Sequence, residues 1–202
     1  MESGGTLPPL AFSLGGKGYI GMGQLTGNDF WEYDVANNTW TQKADFPGKP
    51  RFYAVGISNG TNGFFGTGQE VLTLNDLKDF WEYDPSLNTW TQKADFEGGV
   101  RYCAVGFSID ATCYLGTGAN SQFIYHDLWQ FNDTTNSWTQ KPDLPGIERN
   151  LAVGFSIGLK GYIGTGKDYV YRLWNDFYEY DPLITGIVEN KLNSLITLFP
   201  NP

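Results

Sequence analysis

The chain reads as an all-β protein made of one four-stranded unit repeated four times. Two observations predict this. A mixed acidic and aromatic block returns at a nearly fixed interval, as Asp29-Phe-Trp-Glu-Tyr-Asp34, Asp79-Phe-Trp-Glu-Tyr-Asp84, Asp127-Leu-Trp-Gln-Phe-Asn132 and Asp176-Phe-Tyr-Glu-Tyr-Asp181. Its third position falls at Trp31, Trp81, Trp129 and Tyr178, spaced by 50, 48 and 49 residues. Composition agrees: 26 glycines and 16% aromatics describe a turn-rich, aromatic-packed β protein. A period near 50 marks a supersecondary unit that stacks on copies of itself. What recurs is then scaffold, and function belongs to what differs between units.

Each unit resolves into four strands. A small apolar run opens it: Leu10–Leu14, then Tyr53-Ala-Val-Gly-Ile-Ser58, Cys103-Ala-Val-Gly-Phe-Ser108 and Leu151-Ala-Val-Gly-Phe-Ser156. A few turn residues separate it from Gly18-Tyr-Ile-Gly-Met-Gly23, Gly63-Phe-Phe-Gly-Thr-Gly68, Cys113-Tyr-Leu-Gly-Thr-Gly118 or Gly161-Tyr-Ile-Gly-Thr-Gly166, which makes a hairpin. A variable loop leads to the Phe-Trp-Glu-Tyr strand. A polar turn then leads to the Trp-Thr-Gln-Lys strand at Asn38–Phe46, Asn88–Phe96 and Asn136–Leu144. No segment between them has helical periodicity. The register of the third hairpin sets Cys113 opposite Ser108 and Cys103 opposite Gly118, too far apart for a disulfide.

Four antiparallel strands at this period make a propeller blade. The chain resembles the kelch repeats, a family marked by a glycine pair ending the second strand and a Tyr some residues before a Trp that opens the fourth. Tyr33/Trp40, Tyr83/Trp90 and Phe131/Trp138 match. The glycine pair stands here as Gly-X-Gly (Gly21/Gly23, Gly66/Gly68, Gly116/Gly118, Gly164/Gly166). The resemblance covers about residues 10–181 and implies a kelch-type propeller of three full blades and one partial blade. The fourth unit has no Trp strand. Residues 1–182 are therefore assigned to blades, and 183–202 to a linker and tail. That tail, Leu198-Phe-Pro-Asn-Pro202, resembles the start of the C-terminal sorting domain of the Bacteroidetes type IX secretion system, which implies a secreted or surface-held protein. An incomplete blade also exposes an unpaired edge, a route to self-association.

Several functions are disfavoured. A net charge of −9 opposes nucleic-acid binding, which needs clustered Lys and Arg. No apolar run approaches the roughly 18 residues of a membrane span, and Met1–Gly5 has no signal-peptide character. Gly16-Lys-Gly-Tyr-Ile-Gly21 spells GxGxxG but sits in a hairpin, without the following helix that a pyrophosphate needs. His126 is the only histidine, so no multi-histidine metal site or doubled triad is expected. That also sets the chain apart from galactose oxidases, kelch-type propellers with a copper site. The turns lack the Asp-box pattern of sialidases. No catalytic residue, metal or cofactor is expected.

The reading is a non-catalytic module presenting its loops to a protein or a glycan. The alternative is the propeller portion of a sugar-acting enzyme whose chemistry lies outside this chain. The candidate binding face is formed by the divergent loops between strands two and three: Gln24–Asn28, Gln69–Lys78, Ala119–His126 and Lys167–Asn175. The last two carry Tyr125, His126, Tyr169, Tyr171, Arg172 and Trp174, residue types that anchor interfaces. Arg51, Arg101 and Arg149 each lead into an innermost strand and are placed at one mouth of the channel. Two roles stand open for them: pairing with Asp45, Asp95 and Asp143, or contact with a ligand.

Overall fold

A computed structural model describes residues 10–22, 27–184 and 187–190. Blade I comprises β1 (Leu10–Leu14), β2 (Lys17–Gly21), β3 (Phe30–Asp34) and β4 (Thr39–Gln42). In blade II a two-residue strand, β5 (Arg51–Phe52), precedes β6 (Val55–Ser58) and β7 (Gly63–Gly66). β8 (Gln69–Glu70) pairs back on β5, and β9 (Phe80–Asp84) and β10 (Thr89–Lys93) finish the sheet. Blade III is β11 (Val105–Ile109), β12 (Thr112–Gly116), β13 (Leu128–Asn132) and β14 (Ser137–Lys141). Blade IV is β15 (Val153–Ile157), β16 (Lys160–Gly164), β17 (Phe177–Tyr180) and β18 (Ile187–Asn190). Each blade is an antiparallel meander of four, β5 and β8 form a separate two-stranded sheet, and the four blades are arranged as a β-propeller. Among the described residues no helix is long and apolar enough to cross a membrane.

Two expectations change. The innermost strands start two residues later than the repeats suggest, because Tyr53, Cys103 and Leu151 hold positive φ angles of 57°, 54° and 54°, outside the β region. The fourth blade also has its outer strand. β18 pairs with β17 in the register Phe177↔Asn190 to Tyr180↔Ile187, inside the segment assigned to a linker. An open edge of N–H and C=O groups accepts any extended segment of matching length, so the strand needs no Trp. The Leu198–Pro202 tail lies outside the described residues.

The turn chemistry recurs in the first three units. Asp34 and Asp84 accept the N–H groups of the residues two and three ahead, closing the turn into the fourth strand. Asn38, Asn88 and Asn136 close the same turn at φ near +50°, a region Asn tolerates. In blades I and II this Asn also accepts the hydroxyl of Tyr33 or Tyr83 at 2.8 Å.

Every blade has a leading face toward its predecessor and a trailing face toward its successor. Leu10, Leu14, Tyr19 and Phe30 of blade I pack on Phe65 and Tyr83 of blade II. Val55, Ile57, Phe64 and Phe80 pack on Cys113, Leu115, Phe131 and Trp138 of blade III. Val105, Phe107, Tyr114 and Leu128 pack on Ile163, Tyr178 and Tyr180 of blade IV. The segments between blades plug the outer side of each wedge. Phe46 meets Phe65, Trp81 and Trp90 edge-on, and Phe96 does the same to Trp129 and Trp138.

Hydrogen bonds pin the outer strands together. Trp90 Nε1 donates to the Ala44 carbonyl at 2.9 Å, while the Ala44 N–H donates to Asn88 Oδ1 at 2.9 Å. One blade on, Trp138 and Asn136 hold both polar groups of Ala94. The equivalent residue after β14 is Pro142, which has no N–H, and blade IV carries neither the Asn nor the Trp. Donor and acceptor have disappeared together. Because Trp138 is 5% exposed and fills the wedge between blades II and III, Trp138→Ala is expected to lower unfolding free energy by about 3–5 kcal/mol. Urea denaturation followed by circular dichroism measures it.

Candidate functional site

The site rests on a clamp that the repeat builds three times. Arg51, Arg101 and Arg149 have fully buried side chains. Arg101 makes a bidentate pair with Asp127 (Nη1–Oδ1 2.6 Å, Nη2–Oδ2 2.8 Å), and its Nη1 also donates to the Thr117 carbonyl at 2.9 Å. Arg51 holds Asp79 and Thr67 in the same way, and Arg149 holds Asp176 and Thr165. The partners are therefore the aspartates that open the third strand, not Asp45, Asp95 and Asp143. Gln42 and Gln140 donate to Asp45 and Asp143, and Asp95 meets Lys78 on the surface. Folding the second-to-third loop back brings the third-strand Asp under the guanidinium, a proximity that sequence spacing does not display.

Each acidic partner takes one more bond. Trp81 Nε1 donates to Asp79, Trp129 Nε1 to Asp127, and in blade IV the Tyr178 hydroxyl donates to Asp176. Aromatic rings cover the guanidinium planes: Phe46 and Phe65 on Arg51, Phe96 and Tyr125 on Arg101, Tyr178 on Arg149. Bidentate pairing and full burial build these arginines into the wall of the blade, with Nε of Arg101 buried and without a partner among the described residues. Burial alone would raise the carboxyls of Asp79 and Asp176, but the guanidinium hydrogen bonds and charge outweigh it and hold both below the usual range.

The residues just after each clamp build a cleft. Tyr53, Cys103 and Leu151 link blade to blade around the axis, with Cys103 N–H donating to the Tyr53 carbonyl at 3.0 Å and Leu151 N–H to that of Cys103 at 3.3 Å. Their left-handed backbone turns the chain inward at the mouth. Together with the loops of blades III and IV they enclose a cleft of roughly 550 Å3. Tyr53, Tyr102, Phe123, Tyr169 and Tyr171 supply its aromatic surface, and Asn120, Glu148, Asn150 and Lys167 its polar groups. Asn150 is 9% exposed and its Oδ1 has no hydrogen-bond partner among the described residues. Lys167 Nζ lies 4.6 Å from the centre of the Tyr171 ring. Asp168, also buried, shapes the fourth-blade loop by accepting the N–H groups of Val170 and Arg172.

Of the loop residues expected at the site, Tyr169 and Tyr171 line this cleft and are exposed. Tyr125 is half-buried: its ring lies 4.0 Å from the Arg101 guanidinium and its hydroxyl accepts from Asn120, so it backs the wall. Arg172 is exposed but aims at Asp168 and the Trp174 ring, and Trp174 is half-buried beneath it. His126 sits 3.6 Å from Asp143, while Asp127 is engaged by Arg101, so the two neighbours do not form an acid–base pair. Cys103 and Cys113 are both free, as the hairpin register requires. Burial pushes the Cys103 thiol up to about 12. Among the described residues no cluster of three or more His, Cys, Asp and Glu could hold a metal ion.

Sequence reasoning missed Tyr53, Tyr102, Glu148 and Asn150, while Asn120 and Lys167 stand in the loops it named without being singled out. One signal was available. The two positions after the invariant arginine read Phe-Tyr, Tyr-Cys and Asn-Leu, so variation begins directly beside the strongest constant.

No family model and no curated protein matches the chain by sequence. The structure is similar to a solved structure of YjhT, with a TM-score of 0.79 and 17% identity over 92% of this chain. The chain spans 65% of the length of YjhT. At that identity the likeness establishes the propeller fold.

Two outcomes follow from the clamps. Arg101→Ala strands a carboxylate in the wall and is expected to cost about 3–5 kcal/mol of stability in chemical denaturation. Because the folded carboxyls of Asp79 and Asp176 titrate below an unfolded value of about 3.9, the clamp contribution is complete above that pH and is lost as pH falls through the folded values. Urea midpoints should hold between about pH 5 and 7 and drop below about pH 4. Asp176→Asn should start lower at pH 7 and lose less on acidification.

Proposed function

We propose that this chain is a non-catalytic binding module of kelch type whose cleft takes a glycan. The observation that carries this reading is a mouth lined by five aromatic rings with Asn150 in its wall, the Oδ1 of that residue being buried without a partner among the described residues. Aromatic faces stack on the apolar faces of sugar rings, and amides, a carboxylate and an ammonium satisfy hydroxyls. A buried unpaired acceptor costs about 1–3 kcal/mol until a donor reaches it, which favours a hydroxyl-bearing ligand. The cleft also falls within the size of small-molecule sites. Its one thiol is held protonated by burial, and the single histidine is elsewhere, which supports binding over catalysis.

The resemblance of the Tyr…Trp spacing and Gly-X-Gly turns to kelch repeats supports the family, and the Leu198–Pro202 tail supports export to the surface of, or release from, a Bacteroidetes cell. An exported glycan-binding propeller accommodates both.

The test is a glycan array followed by calorimetry on the best binder. Tyr171→Ala and Asn150→Ala are each expected to weaken binding by about 10-fold or more while keeping the wild-type circular dichroism spectrum. Arg172→Ala should bind within about 2-fold of wild type. Binding unchanged in both cleft variants would move the site off the cleft.

A further inference from the structure

Among the described residues three wedges join four blades, so one trailing face and one leading face are left without a covering blade. Val153, Phe155 and Ile157 on the trailing face of blade IV are 46%, 40% and 64% exposed, while their counterparts Val105, Phe107 and Ile109 are each 4% exposed. On the leading face of blade I, Trp40 is 55% exposed where Trp138 is buried. Among the described residues Asn38 likewise pins no backbone from a preceding segment, the task that Asn88 and Asn136 perform.

The two free faces also match in size. Where blade I meets blade II, the Phe12 ring lies on Gly63 so closely that a Cβ there would collide with it. Phe107 lies on Gly161 in the same way at the wedge between blades III and IV. At the middle wedge the knob is the smaller Ile57, and the hole is narrowed to Cys113. Large knobs therefore face glycine and a smaller knob faces cysteine. The free leading face carries Gly18, over which a Cβ would meet only Tyr33 Cβ at 3.9 Å. The free trailing face carries Phe155. Hole and knob of the matching size are both present, and no described residue occupies either. Ala11 stands where Gly56, Gly106 and Gly154 receive the preceding blade's side chains, so the contact opens by one methyl at that corner.

We propose that two copies of this chain associate head to tail, the trailing face of blade IV in one copy seating on the leading face of blade I in the other. Phe155 enters the space above Gly18, and Trp40 is covered. The contact continues the interface the chain already makes three times within itself. It is heterologous, each copy presenting one face to the contact and keeping the complementary face at its other end. The inference is independent of the cleft.

Sedimentation equilibrium from about 1 to 100 µM tests it with two variants, both altered at exposed or open positions. Gly18→Leu fills the hole without a steric neighbour, and Phe155→Glu charges the knob. Wild type is expected to approach twice the 22.5 kDa chain mass, and each variant alone should remain at the single mass with a native circular dichroism spectrum. An equimolar mixture retains one intact pair of faces and should associate where neither variant does. A wild-type chain at the single mass throughout, whether its faces stay free or close on each other, would overturn the proposal. So would dimers that survive both substitutions, or a mixture that associates no more than its components.

Discussion

The structure depends on a buried arginine paired with the aspartate that opens the third strand of its own blade. A charge taken out of water is tolerated only when its hydrogen bonds are met. Each clamp supplies two carboxylate oxygens and the carbonyl of a threonine at positive φ, and in the Arg101 clamp the Nε is left without a partner among the described residues. This ties the blade entrance to the end of its second strand and the start of its third. The same threonine is followed by a glycine whose N–H, in blades II and III, donates to the carbonyl of the next blade's arginine: Gly68 to Arg101 at 2.7 Å, Gly118 to Arg149 at 2.9 Å. One residue type therefore fixes the inside of a blade and its spacing to the neighbour.

With the entrance fixed, the wedges can be filled by rings. Tyr, Phe and Trp on leading faces meet the smaller aliphatic and aromatic side chains of trailing faces, and edge-on contacts dominate. The indole of the outer strand serves twice, packing in the wedge and donating to the previous blade's backbone. Both contributions are local to one pair of blades, so stability accumulates interface by interface, as in other repeat proteins.

The repeat, the four-strand unit and the position of each turn were legible in the sequence because every unit solves the same packing problem with the same residues. The arginines were legible as special, and Tyr169 and Tyr171 as exposed loop aromatics. The partner of the arginines was not legible, since Asp45 and Asp79 are equivalent as letters and only the returning loop brings Asp79 within reach. The outer strand of blade IV was invisible for a different reason: strand pairing uses backbone groups that every residue has, and Ile187–Asn190 keeps that pairing with none of the Trp pattern. Cleft residues such as Asn150 were hidden by their place beside a constant position, where they read as strand rather than as surface.

That adjacency has a physical basis. A site needs side chains that vary in chemistry on a backbone that does not move. The clamp holds the backbone just before Tyr53, Cys103 and Leu151, and the blade-to-blade hydrogen bonds hold it at them. Their left-handed conformation, strained for residues with a Cβ, persists because both neighbours are fixed. The strain aims three different side chains at one mouth from three identical frames. A change from tyrosine to cysteine to leucine there leaves the clamp and the wedges as they were. The chain can thus alter what its cleft recognises without altering what holds it together, and the cleft lies where the repeat departs from itself.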